Sequence, residues 1–182
     1  MIYAGKTVPL KDGKTVVLRS PRPTEDAVAM IDFMKITGAE TPYLMYEVGE
    51  FSFTVEKETA FLQNKVDSDS KMMIVAEGNG QIAGNCAFKG KTAQRARHRC
   101  DLAIALYQEY CSLGIGTALL TALLDEAKRH GYEQAELDVI AANERAIGLY
   151  KKLGFEIYGT RPHDLKYMDG TYADAHMMVK QL

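Results

Sequence analysis

The segment from Leu102 to Phe155 constrains this chain more than any other. In it an apolar run, LAIAL, leads through YQEYCSLGIGT directly into a long helical pattern, GIGTALLTALLDEAKRHG. Leu119, Leu120, Leu123, Leu124 and Ala127 recur at helical spacing and form one apolar stripe. Asp125 stands i,i+4 from Arg129, and Gly131 is placed to stop the helix. QAELDVI then reads as a short strand. NERAIGLYKKLG reads as a helix marked at both ends: Asn143 as cap, Glu144 in the first turn, Lys151 and Lys152 in the last, Gly154 beyond.

The flanking sequence adds hairpins and two more helices. Asp12-Gly13 divides two short β-prone stretches, and Gly78-Asn79-Gly80 joins MMIVAE to QIAGNCAFKG. Thr24, Glu25 and Asp26 suit a helix start, with Ala27, Met30, Ile31 and Met34 on its apolar face. Thr54 is placed to cap a second helix whose Val55, Phe61, Leu62 and Val66 reach toward the core. Residues 37–54 between them show no clean period and read as irregular, with room for a short helix. A strand is expected over residues 94–106, and Asp169-Gly170 turns the C-terminal stretch into a last hairpin. Hairpin strands with helices among them predict an α+β fold, a mixed and mostly antiparallel twisted sheet flanked by helices, as a single domain over residues 1–182.

Composition excludes more than it proposes. The chain has 182 residues, 47% hydrophobic and 25% charged, close to ordinary globular usage. A net charge of −2 argues against a binder held mainly by nucleic-acid phosphates. No apolar run approaches the roughly 20 residues that span a bilayer, and the start lacks the layout of a secretory signal. Cys86, Cys100 and Cys111 form neither an even disulfide set nor a metal-binding pair. The expectation is a soluble cytoplasmic protein with no structural metal, no nucleic-acid partner and no membrane partner.

Gly114 and Gly116 at the start of the long helix allow close backbone approach to a ligand, beside helical N–H groups that lack partners. Such a loop suits a pyrophosphate. A tight strand-to-helix turn needs the same glycines. The third glycine of GxGxxG is missing, because Thr117-Ala118-Leu119 follows Gly116, and no GK[ST] ending marks a P-loop.

Two motifs in series are more specific. The pattern (Arg/Gln)-x-x-Gly-x-Gly/Ala, helix, strand, then Asn-x-x-Ala-x-x-(Leu/Phe)-Tyr-x-x-x-Gly-Phe resembles the GNAT superfamily of acetyl-CoA-dependent N-acetyltransferases. The second block stands here as Asn143, Ala146, Leu149, Tyr150, Gly154 and Phe155, and the first as Cys111-Ser112-Leu113-Gly114-Ile115-Gly116. The usual Arg or Gln is Cys111, which removes one polar side chain near the phosphates. Lys128, Lys151 and Lys152 are candidates to supply charge there, or are simply solvated.

The resemblance implies central strands that splay apart and direct attack of a primary amine on the acetyl-CoA thioester. Ile104, Ala105 and Leu106 would face the pantetheine and acetyl carbonyl, with the Leu106 N–H as oxyanion donor, and backbone amides of Cys111 to Thr117 would hold the pyrophosphate. Tyr150 takes the position of the general acid, where packing on Ala146, Ile147 and Leu153 is the other reading. Asn143 either caps its helix or touches the pantetheine. Asp101 is the candidate base, or a solvated strand-start carboxylate, and Asp174 and His176 share one side of the last strand. The acceptor is a small-molecule or protein amine of unknown identity. A non-catalytic acyl-CoA-binding or sensor module is the alternative. The oligomeric state is open, with homodimers common in the family.

Charge distribution bears on the acceptor. Residues 37–70 carry Glu40, Glu47, Glu50, Glu56, Glu58, Asp67 and Asp69 against Lys57 and Lys65, either an acidic wall for a cationic amine or a solvated surface. The run 89–99, KGKTAQRARHR, is basic around a strand turn, with no interleaved aromatics for nucleic acid. Cys86 and Cys100, on consecutive strands, are placed to face one another. Cys111 has no neighbouring His to make it a nucleophile.

Overall fold

Left-handed turn residues set the hairpins in this computed structural model, which describes residues 1–47 and 49–182. Gly13 (φ +84°) closes β1 (Lys6–Pro9) onto β2 (Thr15–Arg19). Asn79 (φ +51°) and Gly80 (φ +75°) form the two-residue turn between β3 (Lys71–Gly78) and β4 (Gln81–Gly90). The remaining strands are β5 (Arg99–Leu106), β6 (Gln134–Ile140), β7 (Glu156–Lys166) and β8 (Tyr172–Gln181). They form one eight-stranded sheet in the order β1-β2-β3-β4-β5-β6-β8-β7. Among the described residues every pairing is antiparallel except β5 with β6.

The helices divide between the two faces. One face packs on α3 (Ile115–Arg129) and α4 (Glu144–Lys152), through Met72, Ile74, Cys86, Phe88, Leu102, Leu137 and Met178. The other packs on α1 (Pro23–Glu40) and α2 (Val55–Asp67), where Met73, Val75, Ile82 and Ala87 meet Met30, Phe33 and Leu62. β3 is buried on both faces, which explains its unbroken MMIVA run. The expected stripe of α3 is buried in full, each leucine contributing roughly 1.5–3 kcal/mol.

A buried ion pair ties α1 to the sheet. The Arg19 guanidinium grips Asp26 at 2.7 and 2.8 Å and Glu77 at 2.5 Å. Asp26 also accepts the Arg22 N–H at 2.7 Å, satisfying a helix start whose cap residue offers no side-chain acceptor.

Several expectations are corrected. α1 runs on to Glu40, taking the first residues of the segment expected to be irregular; within that segment Val48 lies outside the described residues. β5 begins at Arg99 rather than residue 94, because the chain turns before it with Arg99 N–H on the Ala96 carbonyl. Thr54 does cap α2, but Val55 and Phe61 are exposed and Leu62 alone of the expected four is fully buried. Arg129 pairs with Glu126 at 3.0 Å rather than with Asp125. Cys86 is paired across the ladder with Ile104, and Cys100 with Gly90, so the two thiols are not opposite.

Candidate active site

The only parallel ladder among the described residues is three pairs long, as short as any in the sheet. β5 and β6 are in register from Arg99↔Gln134 to Asp101↔Glu136, and beyond that both strands continue unpaired with each other. Tyr107 N–H donates to the Ala83 carbonyl at 3.1 Å, whereas the His98 carbonyl accepts from Glu133 at 2.8 Å. Main-chain groups alternate between edges along a strand, so Ala103 and Ala105 address β4 while Ile104 and Leu106 address the gap. The splay opens a cleft of about 860 Å³ lined by Leu102–Leu106 and Glu136–Ile140.

At one end the glycine loop meets α3. Ser112 (φ +66°) and Gly114 (φ +101°) are left-handed, and Gly114 caps the helix without a side chain. The amides of the first turn therefore open toward the cleft, which Ser112, Gly114, Gly116 and Thr117 line. The two glycines do different work. A Cβ on Gly114 would meet nothing within 4 Å, and its φ is what demands glycine. A Cβ on Gly116 would meet Leu149 Cδ2 at 3.1 Å, so Gly116 lets α3 pack closely on α4. Cys111 donates its thiol to the Tyr107 carbonyl at 3.5 Å, and burial pushes that thiol up, away from the thiolate.

Two cations missed in the sequence stand beside this loop. Lys11, from the β1–β2 turn, donates its backbone N–H to the Leu113 carbonyl at 3.2 Å and lines the cleft. Arg145, in the first turn of α4, also lines it, and its charge partly offsets the effect of burial on Cys111. Neither has a salt-bridge partner among the described residues. Of the three expected lysines, Lys152 lines the cleft and Lys128 and Lys151 do not.

α4 supplies the motif residues. Asn143 Oδ1 accepts the Ala146 N–H at 3.2 Å, so its side chain caps the helix at the cleft wall. Tyr150 also lines the cleft although it is 7% exposed. Its ring meets Phe155 edge-on at 5.9 Å. Burial pushes the phenol up to about 12.

The far end, on the α1/α2 face, is densely charged. Both Asp101 oxygens accept from Lys91 Nζ, at 2.5 and 2.7 Å, and Arg99 holds Glu136 at 2.8 Å. Arg161 bridges Asp138, at 3.0 Å, and Asp164. The acids that line the cleft are thus Asp101, Glu136, Asp138 and Asp164, none from the acidic 37–70 segment. Glu40, Glu47 and Glu50 are spent on backbone amides of Gln108, Met168 and Glu47. That segment contributes Thr41, Tyr43, Leu44 and Met45 instead, held over the cleft by Tyr43 on the Ala142 carbonyl and Tyr167 on that of Pro42. Asp174 binds the His163 N–H at a bulge in β7, and His176 binds Thr160.

The sequence model of the acetyltransferase (GNAT) family matches residues 34–155, well over half of the chain. The chain belongs to the GNAT family. A GNAT acetyltransferase of Streptococcus pneumoniae superposes with a TM-score of 0.87 at 28% identity, covering 92% of this chain and 99% of that one. YncA of Salmonella typhimurium, solved with acetyl-CoA, has a TM-score of 0.81 at 20% identity over 92% of this chain and 94% of its own, a likeness of fold. An N-alpha-acetyltransferase of Sulfurisphaera tokodaii is 42% identical over 82 residues, 44% of this chain and 47% of its own length. An L-amino acid N-acetyltransferase of Escherichia coli is 29% identical over 109 residues, 59% of this chain and 66% of that protein. The chain thus spans about half to two thirds of the length of these last two relatives. Among its described residues no His, Cys, Asp and Glu cluster is arranged to hold a metal, and no helix is long and apolar enough to cross a membrane.

Proposed function

We propose that residues 1–182 form one acetyl-CoA-dependent N-acetyltransferase domain acting on a primary amine. The observation that carries this reading is the polarity of the cleft. Its glycine-loop end joins open helix amides to the unpaired cations Lys11 and Arg145, and its far end carries every lining carboxylate. The first end fits a pyrophosphate held by the amides of Cys111 to Thr117, with the two cations in place of the absent family side chain at Cys111. Ile104, Ala105 and Leu106 form the wall for the pantetheine, and Asn143 adds its side-chain amide from the cap.

The amine enters from the carboxylate end and attacks the thioester carbonyl at the gap. The Leu106 N–H, free of strand partners, receives the developing negative oxygen. As the C–S bond breaks, the Tyr150 O–H gives its proton to the departing sulfur, and the proton lost by the amine leaves through water to Asp101, whose carboxylate keeps lone pairs beyond the two that Lys91 occupies.

The test is a thiol-release assay with a panel of amines, on the protein and on Tyr150→Phe. The variant is expected to lose roughly 10²-fold in kcat with acetyl-CoA binding unchanged. Since the folded phenol titrates near 12, above the ordinary value, the O–H persists through neutral and moderately alkaline pH; a decline assigned to Tyr150 appears only as pH rises toward that value. Tight acetyl-CoA binding without release of thiol for any amine would favour the sensor-module reading and sink the enzymatic one.

A further inference from the structure

The far end of the cleft holds an ion pair with unused bonding capacity on both members. Arg161 makes both of its carboxylate contacts through Nη1 alone, to Asp138 Oδ2 at 3.0 Å and to Asp164 Oδ1. Its Nε–Nη2 edge, three N–H groups in one plane, has no partner among the described residues, and Asp138 Oδ1 has none either. The sheet explains the placement. Arg161 pairs with Ala175 in β8, and Ala175 pairs with Ile140 in β6. Ladder partners share a face, as do residues two apart, so Arg161 projects on the face of Asp138. It crosses β8 at Ala175, a small and fully buried side chain, to reach Asp138 at the edge of the gap.

Two carboxylates on one nitrogen fix the guanidinium and leave its bidentate edge available, the geometry that arginine offers to a carboxylate. Arg161, Asp138 and Asp164 together total −1. A lone anion would raise that to −2, whereas a zwitterion leaves it unchanged. We propose that Arg161 and Asp138 recognise the zwitterionic end of the acceptor, so that the amine acetylated is the α-amine of a free amino acid. The amino-acid carboxylate accepts from Nε and Nη2 of Arg161, and its ammonium donates to Asp138 Oδ1 before deprotonation. A polyamine offers no anion to the open guanidinium edge, and a protein N-terminus or lysine side chain offers no carboxylate beside its amine. The proposal rests on the acyltransferase reading above.

The experiment compares initial rates for the common L-amino acids, their amides and a linear polyamine, in the protein and in Arg161→Gln and Arg161→Lys. Calorimetric binding of the preferred amino acid to the CoA-saturated protein is a second readout. The wild type is expected to favour an amino acid over its amide by at least ~10-fold in kcat/KM, because the amide leaves the charged edge of Arg161 without a counter-charge. Arg161→Gln should erase that preference and the calorimetric signal, with the KM for acetyl-CoA within about twofold of wild type; Arg161→Lys, a point charge without the fork, should restore part of it. Arg161 is about half exposed, so a thermal melt close to wild type is expected of both variants. Equal use of acid and amide, preference for the polyamine, or a preference that survives Arg161→Gln would overturn the proposal while leaving the enzyme intact. No transfer to any amine would overturn the acyltransferase reading and this one with it.

Discussion

Alanine at Gly114 and at Gly116 should have opposite consequences. Gly114 holds φ at +101°, where an alanine methyl is strained whatever the space around it, and that space is empty. The strain is on the order of 1–3 kcal/mol. The loop can relieve it only by turning the amides that open α3. Gly116 has helical φ, so alanine gains about 0.5–1 kcal/mol in helix propensity. Against that stands one contact, 3.1 Å to the mobile end of Leu149, relieved by a shift of a few tenths of an ångström. Gly114→Ala is therefore expected to weaken acetyl-CoA about tenfold or more, or to lower stability by roughly 1–3 kcal/mol. Gly116→Ala should stay within about 1 kcal/mol of wild type and bind acetyl-CoA nearly as well. Calorimetric titration with acetyl-CoA and urea unfolding measure both terms. Equal losses in the two variants, or a larger loss at Gly116, would refute the division of labour.

Lys11→Ala should raise the Kd for acetyl-CoA by ~3–10-fold at low ionic strength and by less in added salt, since the cation is near the surface; titrations at two salt concentrations decide it. Asp26→Ala should destabilise the fold by about 3 kcal/mol, because Arg19 keeps Glu77 but loses its bidentate partner in a largely buried site. Urea unfolding with an unchanged m-value checks that result.

The parts of the fold visible in the sequence were those encoded locally. The stripe of α3, the Thr54 and Asn143 caps and the Asn79-Gly80 turn act within a few residues, and each forms as expected. The start of β5 was less visible because the basic run ends on Arg99, its first residue, and no Gly or Pro stands between residues 91 and 98 to mark the turn before it. At the site, the glycine loop and Tyr150 were legible through motif spacing. Arg161 and Asp138 were not, since a contact across β8 depends on the register of three strands. A faint signal existed: alternation in QAELDVI places Glu136 and Asp138 on one face of a strand, where two carboxylates suggest an opening rather than a core. Of the acids in 37–70, Glu40 and Glu47 are taken by the sequence-distant amides of Gln108 and Met168, contacts that no local pattern reveals, and a lysine in a hairpin turn such as Lys11 looks merely solvated.

The splay between β5 and β6 is a passage through the sheet rather than a pocket upon it. Ile104 and Leu106 pack with the α3 side, whereas Ala105 and Tyr107 pack with the α1 side. On the reading proposed above, a donor lying along α3 and α4 and an acceptor arriving beside Tyr43 and Arg161 would enter by separate doors and meet midway, so that neither would have to leave before the other binds. Steady-state velocities should form intersecting lines rather than parallel ones, and spent CoA should not compete with the amine for its doorway.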